Sequence, residues 1–335
     1  MNRSCIFLLS LLLCHFNGNN PEYSNRIAAE KPLWGFYAHK LINRLAVFCL
    51  PPEMIVFYKP NIRFLEDHAV DPDKRRYAIK GEAPKHYIDL DHFPAESLDQ
   101  SAFYWKDAVE KFSIDTLMSR GVVPWHIVKV KYQLTKAFEK KDFHKILKLS
   151  ADLGHYIGDA NVPLHTTSNY NGQLTGQYGI HGFWESRIPE LSADSYDLFV
   201  GKASYLSNPQ RTAWQAIKNA HKAVDSVLLF EKLLSESFAE DKKYSFEERN
   251  GQTVKVYSKP FSKAYEKKLN GQVERQLKAS IKMVADFWYT AWVDAGQPVL
   301  VGLNSENNMS LLEKLLEEES RLWQQKKFPA RPHKN

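Results

Sequence analysis

Residues 154–165 read Gly154-His155-Tyr156-Ile157-Gly158-Asp159-Ala160-Asn161-Val162-Pro163-Leu164-His165. After a loop rich in Gly, Asn and Gln the chain returns as His181-Gly182-Phe183-Trp184-Glu185. Apolar residues at Phe143, Ile146, Leu147, Leu153 and Ile157 run into this stretch with helical spacing, so its first half is read as the end of a helix. His155 and Asp159 are then i, i+4 neighbours on one face, as are His181 and Glu185 on a second helical segment. Pro163 ends the first helix just ahead of His165 and turns that imidazole back toward the cluster. Imidazole nitrogens and carboxylate oxygens are the donors that zinc takes in hydrolytic sites. Two such pairs plus a turn residue exceed what one ion needs, and the pattern implies a multinuclear zinc site.

Outward from this segment, helical patterning dominates. Leu41, Ile42, Leu45 and Phe48 form an apolar stripe ended by Pro51-Pro52, and Ile127, Val130, Leu134 and Phe138 form another. Trp214, Ile217, Val224 and Leu228 continue the series. Leu277, Ile281, Val284, Trp288 and Trp292 complete it, closed by Gly296 and Pro298. One segment departs from the helical period: around residues 244–258, Asn250-Gly251 sits between roughly alternating residues, which predicts an isolated surface β-hairpin. Ser310 to Trp323 is expected to form an amphipathic helix with Leu311, Leu312, Leu315, Leu316 and Leu322 on one side, packed on the body. The expected fold class is all-α, a single-domain multi-helix bundle. The expected organisation is a signal peptide at 1–16, a polar tether at 17–33, the catalytic domain at 34–300, and a C-terminal helix and tail at 301–335.

The 335 residues are enough for a sizeable core, and 8 Trp, 16 Tyr and 19 Phe argue against disorder. A formal charge of +6 is compatible with a polyanionic substrate or a membrane surface and demands neither. Arg3 followed by the apolar run Cys5–Leu13 resembles a secretory signal, too short to span a bilayer, so the protein is expected to be exported, periplasmic or extracellular. Cys14 stands where a lipid-attachment cysteine would, but Leu13 is a poor residue in front of one, and export without an anchor is the preferred reading. Removal of the signal leaves Cys49 alone, which excludes an internal disulfide. Its surroundings, Leu45 to Leu50, mark it as a core residue. There is no Gly-rich phosphate loop and no G-x-S-x-G elbow.

Further candidate ligands lie upstream: Trp34 to His39, the Asp71-Pro72-Asp73 turn, and His86-Tyr87-Ile88-Asp89-Leu90-Asp91. Each alone is a weak signal, since a His near a Trp is usually a packed aromatic pair and D-P-D is usually a turn. Together with 154–185 they set Trp, His, Asp, His, His, Asp, His, His and Glu in an order that resembles the trinuclear zinc superfamily. That superfamily holds the bacterial zinc-dependent phospholipases C and the single-strand-specific zinc nucleases of fungi and plants. The resemblance runs from Trp34 to about Pro298.

Carried over by position, the resemblance implies that Asp71, His86, His155 and Asp159 hold one zinc. His165, His181 and Glu185 hold a second, and Trp34 and His39 a third that shares Asp159. It implies hydrolysis of phosphodiester or phosphate-ester bonds by a metal-activated hydroxide, with no protein nucleophile. Asp71 and Asp89 are the candidate catalytic carboxylates, Asp89 orienting the attacking water or a ligand His. Tyr87 is the candidate for stacking on a substrate base. In the family the Trp ligand is the mature N-terminus, whereas here Ala28-Ala29-Glu30-Lys31-Pro32-Leu33 precede it. Trimming of the tether, a weaker third site, or two tight zincs are the open alternatives.

The substrate is open as well. The steps from Trp34 to His39 and from Asp71 to His86 resemble the nucleases, whereas Glu185 in place of Asp and the short His165–His181 loop resemble the phospholipases. The polar composition of that loop tips the expectation toward a nucleic acid or nucleotide substrate, with phospholipid headgroup esters as the alternative. A reading of a different class is a non-catalytic zinc-binding protein that keeps its ligands for stability.

Overall fold

Amphipathic stripes of the spacing described above have to bury one face, and the chain does so with helix packed on helix. The computed structural model describes residues 36–94, 103–249, 251–304, 306–325 and 328. The expected signal peptide, the tether, Cys14 and Trp34 lie outside them. The chain divides between Pro32 and Leu33, and every described residue belongs to the unit from Leu33 onward. Eight helices of eleven or more residues are described: α1 (Phe36–Val47), α2 (Val123–Glu139), α3 (Phe143–Ala160), α4 (Pro209–His221), α5 (Val224–Ser237), α6 (Lys259–Leu269), α7 (Gln272–Asp294) and α8 (Glu306–Gln325). Among the described residues the only strands are β1 (Tyr244–Arg249) and β2 (Gln252–Tyr257), an antiparallel pair in which Tyr244 faces Tyr257. The protein is all-α apart from this hairpin. No helix of the described residues is long and apolar enough to cross a membrane.

The centre of the body is the α2–α3 hairpin with α7 laid across it. The Asp142 carboxylate caps α3 by accepting from the Lys145 amide at 3.2 Å. From there Phe143, Ile146, Leu147, Leu153 and Ile157 are all buried. Trp288 of α7 donates through Nε1 to the Ser150 carbonyl of α3 at 3.1 Å, and the Tyr58 hydroxyl bonds Ser150 Oγ at 2.9 Å. Buried tryptophan and tyrosine therefore keep partners for their polar tips. Cys49 is buried and free.

Helix α1 differs from its expected stripe. Phe48 lies past the helix end and is 59% exposed, while the buried face is Ala38, His39, Ile42, Asn43, Ala46 and Val47. The reason is on the partner helix. Gly154 and Gly158, one turn apart on α3, form a notch: a Cβ on Gly154 would lie 1.7 Å from Asn43 Oδ1, and one on Gly158 would lie 2.8 Å from His39 Nδ1. Asn43 then donates to the Leu65 and Ala151 carbonyls at 3.1 and 3.2 Å. Polar residues occupy the inner face of α1 because α3 is bare at that point.

Three further details depart from the sequence reading. The Trp214–Leu228 stripe is two helices, α4 and α5, separated at Lys222–Ala223. The hairpin is not isolated: the Tyr257 ring stacks on Phe183 with centroids 3.8 Å apart, and Arg187 and Arg249 bind Glu247. On α8 only Leu312 of the five leucines is fully buried, and Leu311, Leu315 and Leu322 stay exposed. Residues i and i+1 point about 100° apart and do not share a face.

Because Asn43 is held by two backbone carbonyls, it has little freedom to move away from a methyl group. Gly154→Ala should cost about 1–3 kcal/mol by overpacking. Thermal unfolding should show a Tm lowered by several degrees, and an unchanged Tm would refute the close approach of α1 to α3.

Candidate metal centre

Four stretches of chain, each set by its own local structure, meet on α3. His155 and Asp159 project from its last turns as an i, i+4 pair. Past the helix end at Ala160, the 3₁₀ turn Pro163–Thr166 carries His165. Beyond the loop, the helical turn Ile180–Gly182 carries His181 and runs into a π-helical turn, Phe183–Arg187, that carries Glu185. His39 comes from α1. His86 ends the 3₁₀ turn Ala83–His86, and Asp73 lies in the short helix Asp71–Arg75.

Three groups of donor atoms form, each with its atoms within 4.8 Å of one another: Asp73, His86 and His155; His39, His155 and Asp159; and His165, His181 and Glu185. Asp159 joins them. Its Oδ2 lies 2.9 Å from His86 Nδ1 and 3.3 Å from His155 Nε2, and its Oδ1 lies 3.4 Å from His39 Nε2 and 3.8 Å from His165 Nε2. Glu185 does the same on the other side, reaching His181 Nε2 at 2.7 Å, His39 Nε2 at 3.2 Å and His165 Nε2 at 3.4 Å. All of these side chains are buried except Asp73, which is half-buried.

The rings are oriented from behind. His155 donates its Nδ1 proton to the Ala69 carbonyl at 2.9 Å, His165 to the His86 carbonyl at 2.5 Å, and His181 to the Tyr170 carbonyl at 3.0 Å. Each bond commits Nδ1 as the donor and turns Nε2 toward the carboxylates. The segment carrying Asp73 and His86 is tied to α3 by a buried ion pair. Arg75 binds Asp152 through both terminal nitrogens at 2.9 and 2.8 Å, Glu82 through Nε at 3.0 Å, and the Tyr156 hydroxyl at 2.9 Å.

Buried carboxylates are expensive unless neutralised. Here the imidazoles do it. Burial alone would lower the His155 pKa, but Asp159 and Asp73 beside it raise it to about 9. His165 is raised likewise against its own burial, by Asp159 and Glu185. Burial would raise Asp159 and Glu185, yet His155 and His165 hold Asp159, and His165 with His181 and His39 holds Glu185, well below the usual carboxylate range. His86 goes the other way, pushed by burial down to about 4. An arrangement that collects protons in this way is one that cations can occupy in their place. The donor set, imidazole and carboxylate without thiolate, fits zinc.

Of the residues singled out from sequence, His39, His86, His155, Asp159, His165, His181 and Glu185 come together. Asp71 does not join them: its carboxylate is taken by His68 Nδ1 at 2.6 Å and Lys74 Nζ at 3.1 Å, and Asp73 stands among the donors instead. The two acids of D-P-D point different ways because they sit two positions apart on one helical turn. Asp89 is buried at the turn after His86, its amide bonded to the Arg120 carbonyl at 2.7 Å. Tyr87 is buried too, its ring packed on Gly121, whose φ of +93° and absent Cβ make room for it. Asp91, although exposed, accepts from Thr167 Oγ1 at 3.1 Å, from the Ser168 amide at 3.0 Å and from Ser168 Oγ at 2.5 Å, pinning the start of the 166–180 loop.

Arg76 was missed by sequence reasoning. It is 2% exposed, its Nη1 lies 3.5 Å from Asp73 Oδ1, and Nε and Nη1 have no hydrogen-bond acceptor among the described residues. A buried guanidinium with open donors beside the centre is equipped to take an anion. The only signal in the sequence was a second basic residue next to Arg75.

The fold and site define a helical protein with one β-hairpin, built around a buried, multidentate imidazole and carboxylate centre. No protein-family model matches the chain, and no curated protein matches it. Among solved structures it is similar to the alpha toxin of Clostridium absonum, at 16% sequence identity and a TM-score of 0.48, over 78% of this chain and 65% of that one. It is also similar to the Clostridium perfringens alpha-toxin from an avian strain, at 16% identity and a TM-score of 0.46, over 78% of this chain and 64% of that one. The chain thus spans somewhat less than two thirds of the length of these proteins.

Asp73→Ala should lower the zinc bound per chain, while Asp71→Ala should leave it unchanged; atomic absorption on the purified variants checks both, and the reverse result would restore Asp71 as the ligand. Because the metal-free protein keeps a proton on His155 up to about pH 9, zinc uptake at pH 7 should release protons and weaken as the pH falls. Titration calorimetry in buffers of different ionisation enthalpy measures the proton count.

Proposed function

We propose that this chain is a zinc-dependent phosphoric-ester hydrolase. The observation that carries the reading is Asp159, a buried carboxylate whose two oxygens face four imidazoles, with the open donors of Arg76 nearby. His39, Asp73, His86, His155, Asp159, His165, His181 and Glu185 would hold the metal, and Trp34 would add to them from outside the described residues. Zinc bound there supplies Lewis acidity at a phosphoryl oxygen and water acidic enough to ionise near neutral pH. The Ala69, His86 and Tyr170 carbonyls keep the ligand rings in register. Arg76 would neutralise a phosphate oxygen, and Asp89 would orient the attacking water. The number of zincs, three by resemblance, belongs to the same proposal, as does export.

Of the two substrates, we take the phospholipid headgroup ester as the reading to test first. Nucleic acid was favoured by the polar composition of the 166–180 loop, yet Asn169, Asn171 and Gln177 are buried within it. Asn169 Oδ1 accepts from the Leu174 amide at 2.8 Å, Asn171 Oδ1 accepts from the Gly179 amide at 3.1 Å, and Gln177 Nε2 donates to the Leu228 carbonyl at 2.8 Å. A groove of about 1220 Å³ lined by six lysines and by Tyr104, Trp105 and Tyr132 has the look of a strand-binding surface. However, Lys85, Lys136, Lys145 and Lys148 are paired with Glu82, Glu139, Asp142 and Glu319, and Tyr156 stands between the groove and His86.

Assays of single-stranded DNA, RNA and a short-chain phosphatidylcholine in parallel test both levels. Turnover of phosphatidylcholine that chelator abolishes is expected, and nucleotide release alone would reinstate the nuclease reading. Arg76→Met should keep its zinc and lose about 100- to 1000-fold in kcat/KM. A folded wild type inert on all three substrates, with a His155→Ala variant that unfolds, would favour a structural zinc protein.

A further inference from the structure

The loop that leads into His181 is the longest connection touching the centre, and its surface is the reverse of its composition. From Thr166 to Ile180 it contains no charged residue, in a chain that is 25% charged. Its amides and carboxamides are turned inward, as described, and what remains outside is Leu174, 71% exposed, and Tyr178, 68% exposed, with Thr175 and Gly176 between them. The platform beneath is fixed at three points. Asp91 holds Thr167 and Ser168, Gln173 Nε2 donates to the Ser168 carbonyl at 2.5 Å, and Gln177 ties the far limb to Leu228 and Glu231 of α5. The Tyr170 carbonyl, in the same loop, is the group that orients His181.

A nucleic acid is held chiefly by neutralising its phosphates, and this loop offers no cation for that. A lipid–water interface asks for the opposite: apolar and amphipathic side chains at a tip that brings no charge to desolvate, over backbone groups already hydrogen-bonded. Tyrosine suits that boundary, with an apolar ring and a polar tip. We propose that the Leu174–Tyr178 tip is an interfacial wedge that seats the centre on the surface of an aggregated phospholipid of zwitterionic headgroup. The proposal rests on the phospholipid reading above and adds the element that reaches the aggregate.

The test is binding, which needs no turnover. The full chain is sedimented with phosphatidylcholine vesicles at low and high salt. Wild type should partition to the vesicles with little salt dependence. Leu174→Ser with Tyr178→Ser should weaken partitioning by about tenfold or more, with zinc content and Tm unchanged. Leu229→Ser with Leu233→Ser, which removes apolar side chains exposed on α5, should bind as wild type does. Tyr178→Trp should show an emission blue shift on vesicles and quenching by bromine-labelled acyl chains.

Failure of wild type to bind, equal binding by the loop variant, or an equal loss in the α5 variant would each overturn the wedge. Salt-sensitive retention of single-stranded DNA that depends on Leu174 and Tyr178 would overturn it in favour of a nucleic-acid contact. Vesicle binding through the loop in a protein that hydrolyses no phosphoester would keep the wedge and sink the enzyme instead.

Discussion

Asp159 is 1% exposed, and a carboxylate at that depth must have positive partners or lose its charge. The rest of the structure is arranged around this constraint. Its two oxygens face imidazoles delivered by α1, by the His86 turn, by α3 itself and by the 3₁₀ turn at His165, so residues far apart in sequence are drawn to one atom pair. Glu185 repeats the arrangement toward His181, His165 and His39. Each carboxylate has a single imidazole from its own segment, His155 for Asp159 and His181 for Glu185. Each needs the others to arrive, which makes the centre a product of the whole fold and not a local motif.

Much of the fold was legible from periodicity. The Ile127–Phe138, Phe143–Ile157 and Leu277–Trp292 stripes are buried faces of α2, α3 and α7 because those helices meet mainly apolar partners. Helix α1 escaped the same logic: the surface opposite it is a pair of glycines, so His39 and Asn43 went inside and the apolar Phe48 stayed out. A rule that equates buried with apolar fails where one helix offers a notch for a polar side chain. The hairpin was visible in Asn-Gly, but its packing on Phe183 was not, since turn chemistry carries no information about what a strand rests on.

At the site, strings with a fixed local geometry could be read and choices between neighbours could not. His155 with Asp159, and His181 with Glu185, follow from the helical period. Between Asp71 and Asp73 nothing in the sequence decides. The outcome turns on which way a five-residue helix faces, and that is set by Arg75 locking onto Asp152 and Glu82. Arg76 and the inward-turned loop amides share this property, for their meaning lies in which partners are missing or already taken. Composition described the 166–180 loop as polar; hydrogen bonding inside it leaves an apolar exterior.

The π-helical turn at Phe183–Arg187 has a consequence for how this region tolerates change in length. Such a turn holds one residue more than an α-helical turn would, and it is braced by Phe183 against Tyr257 and by Arg187 against Glu247. Removing one residue there would let the segment relax into a regular helix, at little cost to its backbone bonding. The flanking residues would keep nearly the same directions, but a residue lost between His181 and Glu185 would shorten their i, i+4 spacing to i, i+3 and re-aim the Glu185 oxygens that reach His181, His39 and His165. The helix would survive and that three-way reach of Glu185 would not, so a length change of a single residue, harmless by the standards of a surface helix, separates folding from metal capture in this chain.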